Sequence, residues 1–185
     1  MRLFIAIRIP EDLMKTIVNQ RADISGASWV PAEQVHVTLA FLGEVEERGV
    51  ELLGRELARI KSPECTLCFS GTGCFPTRRR PRVLWIGLRP EPHLDKLAAK
   101  IRATLLDCGI HQEERAFSPH ITLARLKLPA SKEIDAFLEQ NRSLKLPPFP
   151  VRQFTLFQSR LTPQGAVHSA LMNFRLEHAG AAGEL

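Results

Sequence analysis

Two segments far apart in this chain are written almost alike: HVTLAFLG, from His36, and HITLARLK, from His120. Their β-branched residues and their alternation of apolar with polar side chains specify strands. Successive side chains of a strand point to opposite faces, so His36, Thr38 and Ala40 share one face while Val37, Leu39 and Phe41 share the other. His120, Thr122 and Ala124 repeat the first set, and Ile121 and Leu123 the second. A fold that accommodates both strands must bury two apolar faces. It must also leave two faces accessible, each bearing an imidazole, a hydroxyl and a small residue. The two motifs lie nearly half a chain apart, too far for a solenoid repeat but right for two similar lobes packed about a pseudo-twofold axis.

The segments around them support that reading. RLFIAIRI reads as a strand, and EDLMKTIVNQ, behind Pro10 and acidic in its first turn, as a short helix. ASWVPAEQ is an extended piece and a turn leading into the first H-x-T strand, which Gly43 closes. From Glu44 to Ile60, the residues Val45, Leu52, Leu53, Leu57 and Ile60 recur at helical spacing. CTLCFSG and PRVLWIGL read as extended. A longer helix from Glu91 to about Asp107 carries Leu94, Leu97, Ala98, Ile101 and Leu105 on one face before Gly109 ends it. After HITLARLKL come a short helix near SKEIDAFLEQ, a proline-rich connector LPPFP, and strands around VRQFTLFQS and AVHSALMNFRL; the final EHAGAAGEL reads as frayed. The expectation is an α+β chain whose residues 1–185 form a single bilobal domain.

Charge and cysteine usage narrow the function classes. Net charge is +5 and the isoelectric point is near 9.3. TRRRPR crowds Arg78, Arg79, Arg80 and Arg82 together, a run that favours polyanions such as nucleic-acid phosphates, although a solvated loop has the same composition. Apolar runs are short and broken by Arg, Pro or Gly, so no membrane partner is expected, and Arg8 and Pro10 interrupt the opening stretch before a cleavable signal forms. Of the cysteines Cys65, Cys68, Cys74 and Cys108, the first two form a C-x-x-C with no second paired motif to complete a zinc site. Regular alternation would also set those two on opposite faces. Ordinary buried thiols of a cytoplasmic protein are expected, with neither metal nor cofactor. His93, His111 and His178 are expected at the surface.

Two imidazoles and two hydroxyls converging on a groove suit phosphoryl chemistry. Hydrolysis of a phosphodiester needs a base to take a proton from water and an acid to protonate the departing oxygen, and imidazole supplies either near neutral pH. Threonine hydroxyls can hydrogen-bond non-bridging oxygens as negative charge grows on them. Neither motif offers a serine at an elbow, and no H-E-x-x-H or paired Asp cluster points to a metal.

RLFIAIRIP, WVPAEQVHVTLAFLGEV, RPRVLWIGL, FSPHITLARL and FTLFQSRLTPQG together resemble the 2H phosphoesterases, named for two H-x-T/S motifs. Within them the resemblance is to the RNA 2',3'-cyclic phosphodiesterase branch, also described as the 2'-5' RNA ligase family. It covers nearly the whole chain and implies a bilobal fold, two antiparallel-rich sheets facing a central cleft with helices outside. It implies cofactor-free opening of a terminal 2',3'-cyclic phosphate to a 2'-phosphomonoester, reversible to 2'-5' ligation. By position, His36 is the general acid, His120 the general base, and Thr38 and Thr122 their companions. Phe41 and Arg125, each five residues after its histidine, would hold the terminal nucleobase, although strict alternation sends both toward the apolar side. Arg78 and Arg80 would contact RNA backbone at the cleft rim. The expected partners are RNA ends bearing the cyclic phosphate, tRNA fragments included, met by a monomer. The chain departs from its relatives in having no tyrosine and in placing His168 where they carry an aromatic; no role is read from it. Two alternatives stay open: a non-catalytic RNA-binding module of the same fold, and a 2H enzyme acting on 2'-5' oligonucleotides, cyclic ADP-ribose phosphate or a modified tRNA end.

Overall fold

The computed structural model describes residues 1–112, 116–163 and 165–178, so the tail expected to fray lies outside the described residues beyond His178. Ten strands and four helices follow in the order β1 (Arg2–Arg8), α1 (Glu11–Val18), β2 (Ala27–Trp29), β3 (His36–Glu44), α2 (Glu47–Ala58), β4 (Cys65–Leu67), β5 (Phe69–Thr77), β6 (Arg80–Leu88), α3 (Pro92–Asp107), β7 (His120–Leu126), α4 (Lys132–Gln140), β8 (Phe149–Val151), β9 (Gln153–Thr162) and β10 (Gly165–Arg175). A 3-10 turn, Ala32–Gln34, precedes β3. No helix among the described residues is long and apolar enough to cross a membrane.

The main sheet is antiparallel, in the order β10-β9-β1-β3-β7-β6-β5, with β2 also paired to β7. It forks rather than running flat. β3 and β7 meet at one residue pair, Val37 with Ile121, after which β2 takes over the same edge of β7, from Trp29 opposite Ala124 to Ala27 opposite Leu126. Direct strand pairing between the two antiparallel halves expected from the repeat is therefore a single rung between β3 and β7.

The apolar pattern explains where the core lies. Leu3, Ile5 and Ile7 of β1, Val37 and Leu39 of β3, and Ile121 and Leu123 of β7 are all buried in one large cluster with residues from every helix. α3 contributes the five residues its periodicity predicted, Leu94, Leu97, Ala98, Ile101 and Leu105. The Glu91 carboxylate accepts from the His93 amide at 3.0 Å to start that helix. Gly109 ends it at φ +77, where Ile110 donates back to Leu105 and Gly109 to Leu106. An added Cβ there meets nothing within 4 Å, so the penalty of Gly109→Ala is conformational alone. Urea titration of that variant will show a loss of about 1–2 kcal/mol.

Two boundaries differ from the sequence reading. α2 begins at Glu47, because Glu44 stays in β3 opposite Arg2, and Leu52 is left 57% exposed while Val50, Leu53 and Leu57 form the buried face. CTLCFSG is not one extended segment: β4 pairs with β8 in a separate two-stranded sheet, and the chain changes sheet at Cys68. The alternation argument for Cys65 and Cys68 therefore does not apply across that break. All four thiols are free, and Cys65 is buried.

Candidate active site

The rung between β3 and β7 sets the geometry of the site. Val37 and Ile121 are fully buried on the core side, so the residues before and after each of them face the other way. Antiparallel register then sets His36 opposite Thr122 and Thr38 opposite His120. The two imidazoles occupy one diagonal of this quartet, and paired strands place such diagonal neighbours about 7–8 Å apart. All four side chains are half-buried. Neither threonine hydroxyl has a hydrogen-bond partner among the described residues, which leaves both free to donate.

Each histidine is walled by aromatic rings from its own half. His36 has Phe4 at 5.0 Å and Phe157 at 6.5 Å between ring centroids, and these two phenylalanines form a small apolar cluster with Ala6 on the cleft face. His120 has Phe75 at 5.0 Å and Trp85 at 6.3 Å. Trp85 lies flat over Gly73, where a Cβ would stand 2.3 Å from its ring, and Gly87 sits opposite His120 in the ladder. The absence of side chains at those two positions makes room for the indole beside the imidazole.

The two rings have different surroundings. Burial, then the neighbouring His168 and to a smaller extent His120, push the proton affinity of His36 down to about 4, against a partial rise from its hydrogen bond to the Gln34 backbone. His36 is therefore neutral in the free protein at pH 7. The Ser118 carbonyl accepts from Nδ1–H of His120 at 2.7 Å, which leaves the Nε2 lone pair available to take a proton. A depressed folded-state value also has a stability consequence. Between pH 6.5 and about 4 the unfolded chain takes a proton at His36 and the folded chain does not, so stability falls as pH drops through that window and levels off below it. Denaturant titrations at stepped pH will show the loss reduced in His36→Gln.

Phe41 and Arg125 stand on the cleft face, against strict alternation, and the reason is the same in both strands. The partners of β1 skip from Thr38 to Ala40, leaving Leu39 as a β-bulge, and the partners of β6 skip from Thr122 to Ala124, leaving Leu123 as another. An extra residue reverses the facing of everything after it. Phe41 is consequently 67% exposed, with its ring 6.4 Å from Phe4, and Arg125 is exposed opposite Val83. β3 and β7 follow the same burial pattern through their first seven residues.

The arginine run lies at the β5–β6 turn. Arg78 leans toward α4, 3.9 Å from Glu139, and Arg80 lies exposed at the base of the β5–β6 turn opposite Thr77. The sequence reading missed Phe4, Phe157, Phe75 and Trp85 and gave His168 no role, although all five have ring contacts with His36 or His120; each looks like ordinary strand content until the strand register is known. His93, His111 and His178 are exposed as expected, the last beside Glu64. Among the described residues no three His, Cys, Asp or Glu side chains gather as a metal site needs. A groove of about 630 Å³ lined by Leu52, Glu56, Arg59, Lys100 and Cys108 of α2 and α3 holds none of the motif residues.

A forked sheet whose halves each present an H-x-T strand to one cleft is the architecture of the two-histidine phosphoesterases. The chain belongs to the 2'-5' RNA ligase superfamily, whose family profile matches residues 10–162. It is 32% identical to the RNA 2',3'-cyclic phosphodiesterase of Archaeoglobus fulgidus over 94% of this chain and 99% of that one, and 33% identical to the protein of that name from Thermotoga maritima over 96% of both. The fold is similar to the crystal structure of Escherichia coli LigT complexed with 3'-AMP, with a TM-score of 0.77 and 30% identity over 95% of this chain and 97% of that one. TT0787 of Thermus thermophilus superposes with a TM-score of 0.75, at 32% identity over 97% of this chain and all of the other.

Proposed function

We propose that this chain is a hydrolase that opens the terminal 2',3'-cyclic phosphate of RNA to a 2'-phosphomonoester. The observation that carries the proposal is the Val37–Ile121 rung, since its register gathers two imidazoles and two unpartnered hydroxyls on one face. His120 Nε2 takes a proton from water as the water oxygen bonds to phosphorus; the P–O3' bond breaks, and His36 Nε2–H protonates the departing O3'. Thr38 and Thr122 donate to the non-bridging oxygens. His36 acquires its proton with the substrate, whose anionic phosphate offsets the burial that keeps the free ring neutral. Replacing water by the 5'-hydroxyl of a second RNA and using the same two rings gives a 2'-5' linkage. Phe41 and Arg125 hold the terminal base between them, and Arg80 adds charge for the RNA backbone, tRNA fragments included. The four free thiols fit a reducing cytoplasm, and a monomer suffices because one chain supplies both motifs.

The experiment is incubation with a short RNA ending in a 2',3'-cyclic phosphate, in excess chelator, with the phosphate position of the product identified. A 2'-phosphate is expected, with a bell-shaped rate profile across neutral pH. Such a profile follows because one imidazole must be neutral while the other carries a proton. A 3'-phosphate, a chelator-sensitive rate or no turnover would sink the proposal.

A further inference from the structure

The cleft holds a third histidine that the reaction above does not use. His168 of β10 stands edge-on to His36, with ring centroids 5.7 Å apart and planes at 80°, and Phe4 touches both, 5.0 Å from His36 and 4.9 Å from His168. Gln34, two residues before His36, fixes β10 alongside by donating from its side chain to the Ala166 carbonyl at 2.5 Å. His168 pairs in the ladder with Ser159 and belongs to the same face as Phe157.

Its two ring nitrogens are in different situations. Nδ1 is sealed from solvent and has no hydrogen-bond partner, whereas Nε2 is neither sealed nor bonded to any described residue. A proton on Nδ1 would strand a buried donor, and an imidazolium would strand a donor and a charge together. The neutral ring is therefore favoured; Nδ1 is unpaired in either neutral tautomer, and an acceptor at the open side selects the one with its hydrogen on Nε2. Burial, and then the positive charge of Arg2, act in the same direction by lowering its proton affinity. The charged groups around the two rings are cations: Arg2 and Arg8 of β1, the latter opposite His36 and 5.6 Å over Phe157, and His120 across the cleft when protonated. An anion entering beside His36 meets those cations and one uncharged donor.

We propose that His168 is a substrate-binding residue, its Nε2–H donating to a non-bridging oxygen of the phosphate seated beside His36. A neutral donor strengthens as charge builds on that oxygen and does not compete with His36 for the proton that the leaving group needs. The contact rests on the phosphodiesterase reading, but its test does not depend on turnover. His168→Gln carries an amide N–H near the position of Nε2; His168→Phe keeps a ring against Phe4 and His36 and has no donor.

Binding of inorganic phosphate to the wild type and both variants, measured by calorimetry, decides the matter, with circular dichroism to establish folding. A hydrogen bond to a charged group corresponds to about a tenfold or larger change in affinity, so His168→Phe will bind phosphate at least that much more weakly while His168→Gln stays within about threefold of wild type. KM for the cyclic phosphate will follow the same order. Equal binding by His168→Phe and wild type would overturn the contact. So would equal weakening in both folded variants, since that would make the role one of packing. A wild type that binds phosphate in this pattern but never turns over cyclic phosphate leaves the contact standing and overturns the phosphodiesterase reading alone.

Discussion

Alanine at His120 will lower kcat for cyclic-phosphate opening by about 10²- to 10⁴-fold, the range that a positioned general base supplies, and alanine at His36 will do the same through loss of the acid. The folded state should survive both changes. His120 is half-buried at the cleft wall, against Phe75 and Trp85, and the core cluster on the other face of β7 contains none of its atoms. The double variant will lose less than the product of the two single losses, because a water that is not activated gains little from a protonated leaving group. Single-turnover rates, measured with urea midpoints for each variant, check both parts. A His120→Ala protein retaining more than about a tenth of wild-type kcat would remove the imidazole from the proposed proton transfer.

Removing the two bulge-presented side chains will act on binding instead. Stacking of a base on an aromatic or guanidinium face is worth about 1–3 kcal/mol, so Phe41→Ala and Arg125→Ala will each raise KM by about five- to 150-fold while leaving kcat within a few-fold. Phe41 is 67% exposed, so its loss opens no cavity. Arg125 is likewise exposed, and its neighbours in the ladder are Val83 and Ser28. The split between KM and kcat is the discriminating result. A large fall in kcat for Phe41→Ala, with KM unchanged, would place the ring in the chemistry and not in base recognition.

The sequence made the quartet legible and hid the pair. Period-two alternation holds from His36 to Leu39 and from His120 to Leu123, and there the facing of every side chain follows from counting. It fails after Leu39 and Leu123, at Ala40 and Ala124, which join the core as well, because a bulge is decided by which partner residue each backbone group bonds across the ladder. Neither leucine is a glycine or proline that would mark a bulge locally. The five-residue spacing attached to the family resemblance carried information that alternation lacked: with one residue spent on the bulge, five becomes an even step. CTLCFSG misled for a related reason, since β4 leaves the main sheet only because Phe149–Val151, much later in the chain, offers it a partner. α3 was readable residue by residue because its pattern is local. His168 was visible as a histidine in a strand, but its place beside His36 depends on three ladders, β10 on β9, β9 on β1 and β1 on β3.

The lone rung between β3 and β7 means that His36 and His120 ride on strands that scarcely pair with each other. Each half is knitted by several residue pairs in every ladder within it, while the backbone ladder between β3 and β7 is one residue pair long and rests on a core common to both. Amide exchange at Val37 and Ile121 reports how that pair breathes, and protection there equal to that of β1 would show it locked. The spacing of the two imidazoles is accordingly set less by a ladder between their own strands than by the apolar core that both strands share beneath them.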